Sequence, residues 1–316
     1  MIRLNHNDHI TNHAVAATIG MFDGVHRGHS FLIDVLKQHA EQRGLKSAVV
    51  TFNNHPHNVV NPNGERLKMI IPHEEKLNLL ADAGVDYAID MPFSPSLAAL
   101  TAQEFMAMLA TQYNVKLLVV GYNHCFGHDR VKDFEQIASM GKTVGVEVAK
   151  APQYSGEGAP VSSSIIRNLI LDGNVIDAAT KLGRPFTLHG KVIHGFHNGT
   201  TMGFPTANVG FIDPDVIRPH YGAYAALVGA CGKTWQGMVN VGARPTLHNG
   251  EQPSIEVNIF DFNDNIYDND INISFVKFMR PEVAFDNIDA LRDQLAADQL
   301  MAREILNNET LTQKQY

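Results

Sequence analysis

Short apolar runs and amphipathic stretches take turns along the first 182 residues of the chain. Residues 15–20, 48–52, 87–91, 116–121 and 144–149 are compact apolar runs and predict five strands. Between them Phe31, Leu32, Val35, Leu36 and Ala40 recur at helical spacing up to Gly44, and a further helix is expected over residues 74–83, ending at Gly84. Thr101 and Glu104 form a capping-box pattern ahead of Phe105, Met106 and Leu109. Strands alternating with helices predict a Rossmann-like α/β domain built on a doubly wound parallel sheet. A polar, Gly-rich loop over residues 152–160 leads into two short helices, 163–171 and 175–182, each closed by a glycine.

After Gly183 the period changes. Residues 188–194, 223–228, 235–239, 254–260 and 271–278 are short and rich in β-branched side chains, with Gly, Pro and Asn in the gaps. Ile255, Val257 and Ile259 alternate with Glu256 and Asn258. This pattern predicts a small closed antiparallel β-barrel, with an amphipathic helix over residues 287–306 closing it through Ile288, Leu291, Leu295 and Leu306. The expected domains are therefore 1–182 and 183–316.

Composition narrows the function classes. The net charge of -8 speaks against a broad nucleic-acid surface, which needs clustered Lys and Arg, but leaves small nucleotides open. The two cysteines, Cys125 and Cys231, stand far apart and offer neither a disulfide framework nor a zinc site. With no apolar run of about 18–20 residues and no signal-peptide pattern, a cytoplasmic protein without a membrane partner is expected. The sequence points to no particular oligomeric state.

Two segments carry candidate chemistry in the first half. Residues 20–29, Gly-Met-Phe-Asp-Gly-Val-His-Arg-Gly-His, run from the first strand into the first helix. His26 and His29, three apart at a helix start, can share a face, and the glycines let a ligand approach the backbone. Phosphate suits such a place, because the helix N-terminus favours an anion and imidazoles supply donors; two histidines in a polar turn is the plainer alternative. In residues 161–167, Ser162, Ser163 and Ser164 stand at a helix start with Arg167 one turn on. They suit either a simple helix cap or a phosphate grip with a guanidinium fork.

The second half has its own pair of features. Thr206 and Asn208, in Gly203-Phe204-Pro205-Thr206-Ala207-Asn208, face one side if the segment is extended. Their oxygens suit Mg²⁺, and a local turn after Pro205 is the alternative. Glu256 lies on the strand face opposite Ile255 and Val257, either exposed to solvent or facing a pocket where it can take a proton.

Together these segments resemble the prokaryotic bifunctional riboflavin kinase/FAD synthetase (FMN adenylyltransferase) family. Thr51-Phe52 with His55-Pro56, Asn240 and Gly242 with Arg244-Pro245-Thr246, Asp261-Phe262, Tyr267, Phe278 and Arg280 extend the likeness over nearly the whole chain. The resemblance implies a nucleotidyltransferase domain followed by a riboflavin-kinase-like barrel. Riboflavin and ATP would yield FMN and ADP in the barrel; FMN and a second ATP would yield FAD and pyrophosphate in the first domain. It implies that His26, His29, Ser163, Ser164 and Arg167 contact ATP phosphates, with Ser162 beside them, and that Gly20, Phe22 and Asp23 line the nucleotide site. In the barrel it implies a Mg²⁺–ATP site on Thr206 and Asn208, further contacts from Gly195, Gly203, Pro205, Arg244 and Arg280, and Glu256 as the base. Riboflavin, FMN, FAD and ATP are the implied partners. The chain departs from the family at Asn123-His124-Cys125, Ser164, His197 and Thr200, and the last two remove positive charge near a triphosphate. An adenylyltransferase with a weakened or non-catalytic flavin-binding barrel is the alternative.

Overall fold

The computed structural model describes residues 1–122, 127–194, 203–211, 213–243 and 253–313. They fall into two compact units, Met1–Ser163 and Ser164–Tyr316.

The first unit holds six strands: β1 (Ile2–Asn5), β2 (Val15–Ile19), β3 (Lys46–Phe52), β4 (Tyr87–Met91), β5 (Val115–Val120) and β6 (Glu147–Lys150). They form one sheet in the order β1-β4-β3-β2-β5-β6, and every pairing is parallel. Six helices connect them: α1 (Arg27–Gln42), α2 (Pro56–Val60), α3 (His73–Asp82), α4 (Pro95–Ala98), α5 (Ala102–Gln112) and α6 (Phe134–Thr143). The expected capping box is present at the start of α5. Val15, Ala17, Val50, Ile89 and Leu118 lie fully buried in one core cluster, which is why β2 to β5 read as near-continuous apolar runs.

Two departures from the expected elements have local causes. β1 escapes the pattern because it is a four-residue edge strand with three exposed positions, held by its pairing with β4 and by Arg3, which reaches Glu74 and Asn78 of α3 at 2.7 Å. β6 begins at Glu147 rather than 144, because Gly145 takes φ +74° and the Val146 N–H closes back on the Gly141 carbonyl at 2.9 Å to finish α6.

The chain lays down β2, β3 and β4 in one direction, then returns to the other side of β2 for β5. In an open parallel sheet, that reversal places a ligand crevice at the carboxyl ends of the two strands on either side of it. Here these are the ends of β2 and β5, and residues 20–29 leave directly from the first of them.

α7 (Ser163–Leu171), whose first residue closes the first unit, and α8 (Val175–Leu182) precede the six strands of the second unit. These are β7 (Phe186–Ile193), β8 (Ala207–Phe211), β9 (Gly222–Ala230), β10 (Lys233–Ala243), β11 (Pro253–Ile259) and β12 (Asp270–Arg280), closed into an antiparallel barrel in the order β10-β11-β8-β7-β12-β9. Closure leaves no sheet edge exposed. Ile255, Val257, Val241, Ile273 and Phe275 are buried to within 1 %. The last helix, α9 (Ile288–Gln313), packs Ala302 and Leu306 against Ala225, Met238 and Phe260. Among the described residues no helix is long and apolar enough to cross a membrane.

Candidate active sites

The segment after β2 is a tight turn whose geometry is set residue by residue. Phe22, Gly24 and Val25 all take positive φ, at 50°, 82° and 36°. For Phe22 and Val25 this is a strained choice that surrounding contacts must hold in place. Asp23 does much of that holding. It is 1 % exposed, its Oδ1 accepts from the Ile70 N–H at 2.8 Å, and its carbonyl accepts from the Ser163 hydroxyl at 2.8 Å. Thr51 donates to the Met21 carbonyl at 3.2 Å. Gly28 is obligatory for space: a Cβ there would sit 2.9 Å from Val161 Cγ1 and 3.3 Å from the His26 ring.

His26 caps α1, and its Nδ1 accepts the His29 N–H at 3.2 Å. That bond fixes the neutral tautomer, with the proton on Nε2. The two imidazoles stack at 3.6 Å with 11° between planes, and Phe22 packs on His29 at 4.8 Å. Burial first, then the charges of His26 and Lys76, hold the His29 pKa well below the ordinary imidazole range. Among the described residues His29 Nδ1 is enclosed without a hydrogen-bond partner. The turn therefore presents a neutral, stacked histidine pair at a helix N-terminus, a place suited to an anion.

Lys76 is the residue that sequence reasoning missed. It lies on α3, 1 % exposed, and its ammonium donates to the carbonyls of Phe52 at 2.6 Å and Met21 at 3.3 Å. Burial brings its pKa down to about 8 against the opposing pull of Asp90 and Asp23. The available signal was a lysine at an apolar position of a helix, four residues before the buried Leu80 and one before Leu77. Nearby, His73 and Asp90 pair at 2.8 Å.

A mostly apolar cleft of about 310 Å³ opens beside the turn, lined by Gly20, Met21, Phe52, Pro56, Phe93 and Leu97 among others. Asn54 pins its rim by a two-way bond to Phe93, at 2.9 and 2.6 Å. Ser162 and Ser163 close the first unit at the threshold of α7. Ser164 and Arg167 belong to the second, where Ser164 is exposed and Arg167 half-buried.

The second site lies on the barrel. With Ile255 and Val257 buried on one face of β11, Glu256 and Asn258 turn to the other, into a cleft of about 320 Å³ covered by Leu291, Leu295 and Asp298 of α9. Glu256 sits opposite Asn208 on one side and Asn240 on the other. Thr206, Asn208, Glu256 and Arg280 all line this cleft, so the segment ahead of β8 brings its oxygens to the carboxylate. Asn258 is 4 % exposed; it donates to the Pro205 carbonyl at 2.7 Å, while among the described residues its own Oδ1 is enclosed without a partner. Arg280 grips Asp298 through two nitrogens, at 2.7 to 3.1 Å, and Gln294 donates to the same carboxylate at 2.9 Å. Arg280 thus seals the cleft wall. Thr206 also lines a neighbouring cavity of about 430 Å³ at the barrel mouth, together with Pro205, Val257 and the stretch Phe262 to Tyr267. Gly203 is exposed at the approach to this segment. Gly195, Arg244, His197, Thr200 and Asn123-His124-Cys125 lie outside the described residues.

Among the described residues no three His, Cys, Asp or Glu side chains converge on a metal position. The hydroxyl of Thr206 and the amide oxygen of Asn208, with the unpartnered Asn258 Oδ1 in the same cleft, are hard donors that fit a divalent cation.

Residues 8–165 match the family model for FAD synthetase, and residues 182–306 match that for riboflavin kinase. The bifunctional riboflavin kinase/FMN adenylyltransferase of Bacillus subtilis is 34 % identical over 97 % of this chain and 98 % of its own. The Escherichia coli K12 protein of the same name is 36 % identical over 91 % of both chains. A crystal structure described as a macrolide-efflux protein from Streptococcus pneumoniae superposes with a TM-score of 0.86 at 33 % identity, over 96 % of this chain and 99 % of that one. With both halves matched in one chain, and full-length relatives carrying both activities in their name, the chain belongs to the family of bifunctional riboflavin kinase/FMN adenylyltransferases.

Proposed function

We propose how the two activities divide over the chain: residues 183–316 phosphorylate riboflavin to FMN, and residues 1–182 adenylylate FMN to FAD, in the cytoplasm and with Mg²⁺–ATP as co-substrate for both. The meeting of Glu256, Thr206 and Asn208 in one cleft carries this reading for the barrel.

In the barrel, the apolar wall of Phe285, Leu291 and Leu295 suits the flavin ring, and the polar floor suits the ribityl chain. The neighbouring cavity at the barrel mouth, sharing Thr206, suits the nucleotide. Glu256 accepts the proton of the ribityl 5′-hydroxyl as that oxygen attacks the γ-phosphorus. Mg²⁺ held by Thr206 and Asn208 supplies neutralisation of phosphate charge. Asn258 holds Pro205, and so sets the position of Thr206.

In the first domain, the cleft beside Gly20 and Phe93 takes the isoalloxazine ring of FMN, and the turn at residues 20–29 takes the ATP phosphates. The FMN phosphate attacks the α-phosphorus directly, and pyrophosphate leaves. His26 donates from Nε2, its other nitrogen being committed to the His29 N–H. No group of the chain has to form a covalent intermediate, so positioning and charge stabilisation carry the step. Ser163, whose hydroxyl donates to the Asp23 carbonyl, supports this phosphate site from the end of the first unit.

The test is Glu256→Gln, assayed by chromatography of flavins with riboflavin, ATP and Mg²⁺. FMN formation should fall by roughly 10²–10⁴-fold, the scale of a lost general base, while FAD formation from supplied FMN stays at the unsubstituted rate. Loss of both activities, or of neither, refutes the assignment of Glu256.

A further inference from the structure

We infer that Lys76 is a positioning residue for adenylyl transfer: its buried ammonium ties the turn after β2 to the end of β3 and sets a positive charge beside the paired histidines. This rests on reading the turn after β2 as the ATP site.

The geometry is unusual for a lysine. Lysine side chains almost never lie fully buried without a partner carboxylate, yet among the described residues the ammonium of Lys76 is hydrogen-bonded to two backbone carbonyls, those of Met21 and Phe52. Met21 stands between Gly20 and the strained Phe22, so this bond and the one from Thr51 hold the turn from below. The charged and titratable groups that face Lys76 come from every neighbouring element: Asp23 in the turn, His29 on α1, Asp90 on β4 and His73 on its own helix, paired with Asp90. The acids partly stabilise the ammonium, and the ammonium opposes protonation of His29. A purely structural role would be filled as well by an apolar side chain at this position. What the ammonium adds is positive potential in a low-dielectric wall under a site for anions, together with a fixed path for the Gly20–Asp23 backbone.

Two measurements test this. The first is Lys76→Met, of similar length and without charge. FAD formation from FMN should lose about 10²-fold in kcat/KM for ATP, the cost of a small misplacement of reacting groups. The KM for FMN and the rate of FMN formation from riboflavin should stay within about twofold, the latter because it belongs to the other unit. A variant with unchanged kcat/KM for ATP overturns the proposal, and so does one losing both activities alike, which marks a folding role. The second measurement needs no variant. In the ¹⁵N,¹³C-lysine-labelled wild-type protein, a non-hydrolysable ATP analogue should raise the titration midpoint of Lys76, because a bound anion favours the charged ammonium. A midpoint unmoved by saturating analogue overturns the proposal even if Lys76→Met does not fold. If the wild-type protein makes no FAD from FMN and ATP, the reading of the site itself is what fails.

Discussion

At the scale of single residues, the first site works by keeping titratable groups in costly states. His29 is enclosed, stacked on His26 and close to Lys76, so its neutral form prevails in the folded chain. In the unfolded chain the same imidazole gains a proton near pH 6.5. Below that pH the unfolded state therefore binds more protons than the folded one, and stability falls as pH drops, by at most about 1.4 kcal/mol per pH unit for one group. Thermal melts between pH 7.5 and 5.5 should show a steeper loss of Tm for the wild-type protein than for His29→Gln; equal slopes contradict this picture of His29. Lys76 acts in the same direction in a higher pH window. With its pKa near 8 rather than 10.5, it holds a charged form that burial disfavours below pH 8, a penalty relieved as pH rises from 8 toward 10.5. Neither residue is a good choice for stability alone, and both touch the turn where, among the described residues, Phe22 and Val25 take positive φ in close succession.

At the scale of elements, each site depends on one helix being held in place. α1 begins where it does because His26 caps it and Gly28 lets Val161 come close. On the barrel, α9 is secured by an apolar contact around Ala302 and Leu306 and by the Arg280–Asp298 pair, with Asp298 only 2 % exposed. Asp298→Asn should cost roughly 2–4 kcal/mol, somewhat less than a fully buried pair because Arg280 keeps some exposure. The KM for riboflavin should rise about tenfold as the wall formed by Leu291 and Leu295 loosens. A variant with unchanged Tm and KM shows that Asp298 does not hold that wall. The sequence pattern foresaw α9 from its Leu and Ile spacing, but the ion pair joins residues 18 apart on two elements and follows only from their packing.

At the scale of the whole molecule, the chain comprises two compact units, each with its own core, and two clefts each lying within one unit. Each activity should then fail alone. Mixing Glu256→Gln chains with His29→Gln chains should restore conversion of riboflavin to FAD: the second supplies FMN, and the first adenylylates it. A mixture that accumulates FMN without FAD shows that the intermediate does not pass between molecules. Helices α7 and α8 fall with the barrel in compactness, while the family match for the first half ends at residue 165 and that for the second begins at 182. The functional boundary at 182/183 remains our proposal, supported by those matches.

The sequence by itself determined whatever is encoded in neighbouring positions. Short apolar runs set β2 to β5, helical spacing set α1 and α9, and β-branched runs set five of the barrel strands, while β8 (Ala207–Phe211) went unforeseen. Residues three or two apart placed His26 beside His29 and Thr206 beside Asn208. The alternation of Ile255, Glu256 and Val257 put the carboxylate off the barrel interior, and packing of α9 then decided that this face is a cleft and not open surface. Tertiary structure alone decided β1, whose four residues carry no apolar run; the apolar cleft beside the turn, whose walls come from residues 19 to 128; and Lys76, whose burial against two backbone carbonyls depends on a strand end 24 residues away and a turn 55 residues away. Local pattern reports which face a residue takes, whereas the partner across that face is set by long-range pairing that no short window of sequence contains.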